Sequence, residues 1–386
     1  MLELKLSNNP IYQAFTQRAM CYIPTGGADF GECLVTIKKI ADGNVDKWYQ
    51  EWIATASRVE NIGNESLKNG HRISACKAYL RASNYYHTAY FPLFGYPGDK
   101  RLIKAFDKEI EVFQKAAGLF ETPIEIIKIP FESTTLPAYF LKVDDSDNAR
   151  PTIVYTNGYD SNIQEMYFAH AEAALKRGYN CLLFDGPGQG RNLIQGNSYL
   201  RPDWEKVVTP VIDYALTRKE VDQTKIILAG WSFGGFLAPR AAAYEHRIAA
   251  LIADPGQWDA ADSLNTSVIN KISSLLNTDE MLHWRIVQRG FWVLNVNCLE
   301  DFFKSMENFK VSHIAQNIRC PTLITLPEGD PIASGALALY KALNVSNKKL
   351  VHFSEEEGSG GHCEMLSRSL YNQKIFDWLD ETMGLV

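Results

Sequence analysis

Ser232 lies at the centre of Gly230-Trp231-Ser232-Phe233-Gly234, directly after the apolar run Ile226-Ile227-Leu228-Ala229. The small-residue stretch that follows, Phe233 to Tyr244, reads as a helix. A serine hydroxyl is a poor nucleophile in water, so it needs a position where a base can reach it. A sharp strand-to-helix turn supplies that position, and glycines two residues either side allow the turn without steric conflict. The following helix also points unpaired N–H groups and its positive dipole end at the place where an oxyanion would form. The pentapeptide alone arises often by chance; its strand-turn-helix context carries the weight.

An activated serine needs a base and an orienting acid, which on such an elbow follow in the order Ser, then Asp or Glu, then His. His362 lies in Gly358-Ser359-Gly360-Gly361-His362-Cys363, after the last apolar strand pattern and before the C-terminal helix, where glycines leave the imidazole room to approach the serine. Of the other seven histidines, three fall on helices, His246 follows the elbow helix, two lie in a helical insertion and one is within a strand. The acid should follow the strand Thr322 to Leu326, where the chain reads Leu326-Pro327-Glu328-Gly329-Asp330-Pro331. Asp330 is the expected acid, with Glu328 and Asp254 as alternatives. Two backbone donors should hold the oxyanion. One is the N–H of Phe233; the other comes from Asn157-Gly158-Tyr159-Asp160-Ser161, with Tyr159 the expected donor and Gly158 the alternative. Glu165, Trp231 and Gly158 are candidates for substrate contact.

Asp185-Gly186-Pro187-Gly188-Gln189-Gly190 superficially resembles a phosphate loop, but it has neither the GxGxxG spacing nor a following Lys-Ser/Thr. A tight strand-to-loop turn beside the site is the better reading. No His/Cys/Asp/Glu set has metal-ligand spacing, so neither a metal nor a cofactor is expected.

Elements that could position these residues follow from hydrophobic periodicity. Over residues 1–120 the pattern is helical: Val45, Trp48, Trp52 and Ala56 recur at helix spacing, as do Ala75, Tyr79, Ala82, Tyr86 and Tyr90, then Leu102, Phe106, Ile110 and Phe113. The tyrosine stripe reads as core rather than as a cavity lining. From Pro123 the character changes. Ile124 to Ile129 and Leu136 to Val143 flank the turn-prone Glu132-Ser133-Thr134-Thr135 as a hairpin. Apolar runs at 152–156, 180–184, 225–229, 249–253, 322–326 and 348–353 then alternate with helical segments, which implies a mostly parallel sheet covered on both faces. The expected organisation is an α/β protein with a helical domain over 1–120 and a catalytic domain over 121–386, the latter carrying a helical insertion over 258–317.

Composition excludes several functions. With 386 residues, 46% apolar and 22% charged, the chain can fill one large domain and an accessory one. A net charge of −6 and no basic run argue against nucleic acid as a partner. No apolar stretch approaches membrane length and the N-terminus does not read as a signal peptide, so a cytoplasmic protein acting on a small molecule is expected. Seven cysteines, an odd number without a CxxC pair, suit reduced thiols.

With these residues in hand, the chain resembles the α/β-hydrolases. Within them it resembles the group that contains 2,6-dihydroxypseudooxynicotine hydrolase, the fungal polyketide-shortening hydrolases, and the fermentation-respiration switch protein with related esterases. The matching segments are Asn157-Gly158-Tyr159-Asp160-Ser161 with Glu165, Phe184 to Gly190, Gly230 to Gly235, and Gly361-His362-Cys363; Ala82-Ser83-Asn84-Tyr85-Tyr86 looks like the group's cap-helix pattern. The resemblance implies an α/β-hydrolase fold with a mostly parallel sheet and an N-terminal helical cap that closes over the site. It also implies Ser232 as nucleophile, Asp330 as acid, His362 as base, and a homodimer. Members of the group cleave carbon-carbon bonds in 1,3-dicarbonyl compounds, and esters. The expected activity is therefore hydrolysis of a small or medium carbonyl substrate, leaning to carbon-carbon cleavage of an aromatic or polyketide-like 1,3-dicarbonyl. The alternatives are a carboxylesterase or thioesterase, an acyltransferase or cyclising enzyme, and a non-catalytic binding protein that keeps the fold.

Overall fold

The computed structural model describes residues 4–41, 43–262 and 264–386. The first three residues, and positions 42 and 263 within the expected helical domain and insertion, lie outside the described residues. The chain forms two compact units: Met1–Ile124 with Ile269–Trp292, and Glu125–Val268 with Val293–Val386.

The first unit is helical, with α1 (Pro10–Met20), α2 (Phe30–Ile40), α3 (Val45–Lys68), α4 (Arg72–Tyr90) and α5 (Lys100–Ala117). Asn9, Asp29, Asn44 and Asp99 each accept a backbone N–H at the start of α1, α2, α3 and α5, satisfying donors that a helix terminus leaves unpaired. Trp48 and Trp52, one turn apart on α3, are fully buried. The Trp48 ring stacks on Tyr12 of α1 at 4.6 Å between centroids, and its Nε1 donates to the Thr88 carbonyl of α4 at 2.9 Å. Each indole contributes roughly 4–6 kcal/mol of gross transfer free energy on burial. Tyr79, Tyr86 and Tyr90 are buried as the stripe on α4 suggests, and Tyr85, outside that stripe, is buried too. Asn84, inside the Ala-Ser-Asn-Tyr-Tyr segment, donates through Nδ2 to the carbonyls of Ala19 and Gly27, joining α4 to the end of α1 and the turn after it.

The second unit is built on one eight-stranded sheet: β1 (Glu125–Phe131), β2 (Thr134–Leu141), β3 (Arg150–Thr156), β4 (Asn180–Phe184), β5 (Val221–Trp231), β6 (Ala250–Asp254), β7 (Thr322–Pro327) and β8 (Lys348–Phe353). The order is β1-β2-β4-β3-β5-β6-β7-β8. Strand β2 runs antiparallel to both its neighbours; every pairing from β4 to β8 is parallel. Strands β4 and β6 are buried at every residue, which requires cover on both faces of the sheet. From β3 the chain goes to β4 on one side and then to β5 on the other. The crevice at the carboxyl ends of β3 and β5 is therefore a topological switch point, where α/β sheets bind ligands.

Local departures from the sequence reading have local causes. Strand β5 begins at Val221, four residues before the apolar run, because Val221 pairs with Arg150 while the polar Asp222-Gln223-Thr224 hides the extension from a hydrophobicity pattern. The hairpin closes through only Glu132 and Ser133, with Glu132 at φ +48°, so Thr134 and Thr135 belong to β2. Within 258–317, residues 269–292 pack into the first unit and the remainder into the second.

Candidate active site

Ser232 follows β5 at φ +58°, a left-handed conformation that costs a non-glycine residue free energy. The turn is held by backbone bonds: the Ser232 N–H donates to the Asp254 carbonyl at 2.6 Å, and the Gly235 N–H to the Ser232 carbonyl at 2.8 Å. Close approach explains Gly230, since a Cβ there would lie 1.9 Å from the Gly234 carbonyl oxygen. Helix Gly234–Ala242 starts directly behind the serine.

Side chains from three distant segments converge. Ser232 Oγ lies 2.8 Å from His362 Nε2, and His362 Nδ1 lies 2.7 Å from Asp330 Oδ2. The Asp330 side chain is 1% exposed and that of His362 31%, so the carboxylate is shielded while the imidazole keeps an open side. Asp330 also caps the short helix Pro331–Gly335 by accepting the Ile332 N–H at 3.0 Å, which fixes the carboxylate's direction. The two alternative acids sit elsewhere. Glu328 is exposed and accepts the Glu355 N–H at 2.9 Å. Asp254 is buried, and its Oδ1 accepts from Thr325 Oγ1 at 2.9 Å. Cys363 Sγ approaches His362 Nε2 at 3.4 Å, but burial raises its thiol well above the ordinary range and keeps it protonated, which removes it as a competing nucleophile.

The loop after β3 comes close to the serine. A Cβ on Gly158 would lie 2.6 Å from Ser232 Cβ and 3.1 Å from its Oγ. Tyr159 packs its ring at 5.7 Å from that of Phe233. Trp231 is buried, with its ring edge-on to His170 at 5.3 Å. Glu165 is buried in the helix that begins at Ile163, where its N–H donates to Asn162.

Sequence reasoning did not single out the residues that hold these peptides. The Gln189 side chain donates through Nε2 to the carbonyls of Asn157 (2.7 Å) and Gly158 (3.2 Å), and accepts the Gly186 N–H at Oε1 (3.0 Å). Gln257 Nε2 donates to the Ser232 carbonyl at 2.6 Å. In a trans peptide the carbonyl and the next N–H point in opposite directions. Fixing the carbonyls of Gly158 and Ser232 therefore fixes the Tyr159 and Phe233 N–H groups in the opposite direction. Asp185 ties the same loop down: its carboxylate accepts from Asn157 Nδ2 (2.9 Å), Ile163 N (3.0 Å) and Arg191 N (3.0 Å). The glycine-rich segment after β4 is thus a side-chain clamp on the loop after β3, and its Asp-x-x-x-Gln spacing was the visible signal. Among the described residues no cluster of His, Cys, Asp and Glu could hold a metal ion, and no helix is long and apolar enough to cross a membrane.

A switch-point elbow serine with a histidine and a buried carboxylate in line defines a hydrolase class, and comparison with known proteins agrees. Residues 153–370 match the model of the alpha/beta hydrolase family, and the chain belongs to that family. Residues 32–257 match the FrsA-like esterase model, which places the chain in that branch and extends the match into the helical unit. A hydrolase from Fusarium sp is 32% identical over 396 residues, covering 94% of each chain. The 20-hydroxy-prefusarin hydrolase of Gibberella moniliformis is 30% identical over 408 residues, covering 95% of each. Among solved structures, 2,6-dihydroxy-pseudo-oxynicotine hydrolase shares the fold with a TM-score of 0.78 at 22% identity, over 94% of this chain and 95% of that one. The protein is an enzyme, an α/β-hydrolase.

Proposed function

We propose that the protein is a serine hydrolase in which Ser232 attacks a substrate carbonyl, His362 takes the hydroxyl proton and Asp330 orients the imidazole. The observation that carries this reading is the continuous hydrogen-bond line from Ser232 Oγ through both ring nitrogens of His362 to Asp330. The Phe233 and Tyr159 N–H groups hold the tetrahedral oxyanion. His362 then protonates the leaving group, and water completes the cycle through the same base.

The preferred substrate is a small or medium 1,3-dicarbonyl, aromatic or polyketide-like, cleaved at a carbon-carbon bond. An enolate carbanion leaves less readily than an alkoxide, so this chemistry needs a second carbonyl to delocalise charge and a proton donor at the departing carbon. Support comes from relatives along nearly the whole chain that are named hydrolases, one of them of 20-hydroxy-prefusarin, and from the sequence resemblance to carbon-carbon hydrolases. A second reading, carboxylester hydrolysis, is favoured by the FrsA-like esterase match. The deciding experiment offers purified enzyme an aryl 1,3-diketone beside a short-chain aryl ester and identifies products by mass. Faster diketone cleavage establishes the carbon-carbon hydrolase; ester turnover alone assigns a carboxylesterase and overturns the preference.

Gly158→Ala tests the oxyanion loop. The added methyl meets Ser232 and the Trp231 carbonyl, at 2.6 and 2.9 Å, so the loop has to move. The expected loss is about 10²-fold in kcat with the fold retained, as expected for a sub-ångström displacement of oxyanion donors. Unchanged kcat in single-turnover kinetics would remove this loop from the mechanism.

A further inference from the structure

Behind the site the chain buries two carboxyl groups against each other. Asp254 closes β6, and its backbone carbonyl accepts the N–H of Ser232. Glu364 lies two residues past His362 and is 0% exposed. Their side chains are in hydrogen-bond contact. Neither Glu364 oxygen nor Asp254 Oδ2 makes a regular hydrogen bond to a nitrogen or hydroxyl donor, although the Thr325 hydroxyl and Arg368 lie beside both carboxyls. Two carboxylate oxygens can hydrogen-bond only when one of them carries a proton.

The surroundings decide where that proton sits. The cation facing the pair is Arg368 of the C-terminal helix, whose Nη1 is 4.0 Å from Asp254 Oδ2. Thr325 Oγ1 donates to Asp254 Oδ1. Thr325 and Arg368 act on Glu364 as well, but their hydrogen bond and ion pair are made to Asp254, so the charge of the pair is better held there and the proton on Glu364, while burial raises both carboxyls above their ordinary range. His170 contributes no positive charge: burial and Arg368 hold it well below the ordinary histidine range, and its Nδ1 accepts from Arg368 Nη2 at 3.2 Å. Asp330, His362 and Cys363 face the cluster from the catalytic side, and Tyr155 and Tyr371 from the core; burial keeps both tyrosines and the thiol in their neutral forms. Burial and the neighbouring Asp254 charge likewise push the Glu364 carboxyl well above its ordinary range.

The turn that carries His362 needs an anchor. Gly361, Cys363 and Glu364 have φ of +85°, +56° and +48°, and two adjacent non-glycine residues in that region persist only when their surroundings hold them. Arg368 Nη1 donates to the Cys363 carbonyl at 2.9 Å, and the Gly361 N–H to the Glu328 carbonyl at 2.7 Å. The Glu364–Asp254 contact adds a direct link between the base-bearing turn and the strand end that holds Ser232.

We propose that Asp254 and Glu364 share one proton and that this acid pair locks the turn bearing His362 to the turn bearing Ser232, making Glu364 a positioning residue for the base. The proposal rests on the serine-hydrolase reading for its kinetic consequence, whereas the shared proton stands independently of it. Its pH sense is defined. Above the ordinary carboxyl range the folded protein retains a proton that the unfolded chain has lost. Stability therefore falls as pH rises towards ionisation of the pair, and is greatest, as far as this pair contributes, on the acid side. When the last proton leaves, two adjacent carboxylates repel, the lock opens and kcat falls on the alkaline limb.

The test compares wild type with Glu364→Ala and Glu364→Gln in kcat and KM across pH, with infrared spectra of the same proteins. Glu364→Ala should lower kcat by about 10- to 100-fold with KM within about twofold, the pattern of a mispositioned base. The glutamine amide donates as the protonated acid does but cannot ionise, so Glu364→Gln should restore kcat to within about threefold and carry its alkaline limb to higher pH. At neutral pH the wild type should show the C=O stretch of a buried protonated carboxyl that Glu364→Gln lacks. An unmoved alkaline limb in Glu364→Gln, or a spectrum identical to that of the wild type, overturns the proposal. If Glu364→Ala does not fold, the glutamine variant and the infrared band decide. Failure of the catalytic reading would leave that band in place, so the two failures are distinguishable.

Discussion

Ser232→Ala should abolish turnover, by about five to six orders of magnitude in kcat, while the protein stays folded. The magnitude is that of removing the nucleophile from a serine-histidine-acid set, whose residual rate comes from binding and oxyanion stabilisation alone. The fold should survive because the elbow is held through backbone groups: Ser232 N to the Asp254 carbonyl, and the Ser232 carbonyl to Gly235 N and Gln257 Nε2. Alanine at φ +58° meets backbone strain similar to that of serine, and only the hydroxyl is lost. Turnover by the purified variant, set beside its circular dichroism and thermal midpoint, checks the prediction. Retention of more than a few per cent of activity would sink the covalent mechanism.

Asp330→Asn should cost about 10³- to 10⁴-fold in kcat with little change in fold, through the imidazole tautomer rather than through lost packing. A carboxylate 2.7 Å from Nδ1 requires that nitrogen to carry the proton and leaves Nε2 free to accept from Ser232. An asparagine amide can donate to Nδ1 instead, which stabilises the tautomer protonated at Nε2, and that tautomer cannot act as base. Steady-state kinetics on parallel variants separate the three carboxylates. Glu328→Gln should stay within about twofold, as expected for a solvent-exposed loop cap. If it, or Asp254→Asn, reproduces the full loss while Asp330→Asn does not, the acid has been misassigned.

Much of the site could be read from short stretches of sequence because the relevant signals are local. Ser232 is marked by an apolar run, a glycine-flanked turn and a helix within about twenty residues. His362 is marked by its glycine-rich approach after the last strand pattern. The limits of β8 at Lys348–Phe353 coincide with its apolar run, whereas β5 was cut short because three polar residues interrupt a strand that pairs through its backbone. The glycine-rich segment after β4 was recognised as a turn beside the site. Its working parts, Asp185 and Gln189, act on a loop that precedes them by about thirty residues, and no local pattern reports that contact.

The sequence by itself determined the α/β class and singled out Ser232 and His362, in that chain order, as the expected nucleophile and base, because periodicity and turn chemistry are properties of neighbouring residues. Which carboxylate faces His362 was decided only by tertiary structure. Asp254, Glu328 and Asp330 are the same chemistry at the ends of adjacent strands, and they differ in where the sheet aims them: one into the core towards Glu364 and Arg368, one to solvent, one to Nδ1. Protonation state has the same origin. A carboxyl group's charge depends on the water and counter-charges around it, and for Glu364 these come from β6, β7 and the C-terminal helix, segments whose approach to one another no stretch of sequence contains.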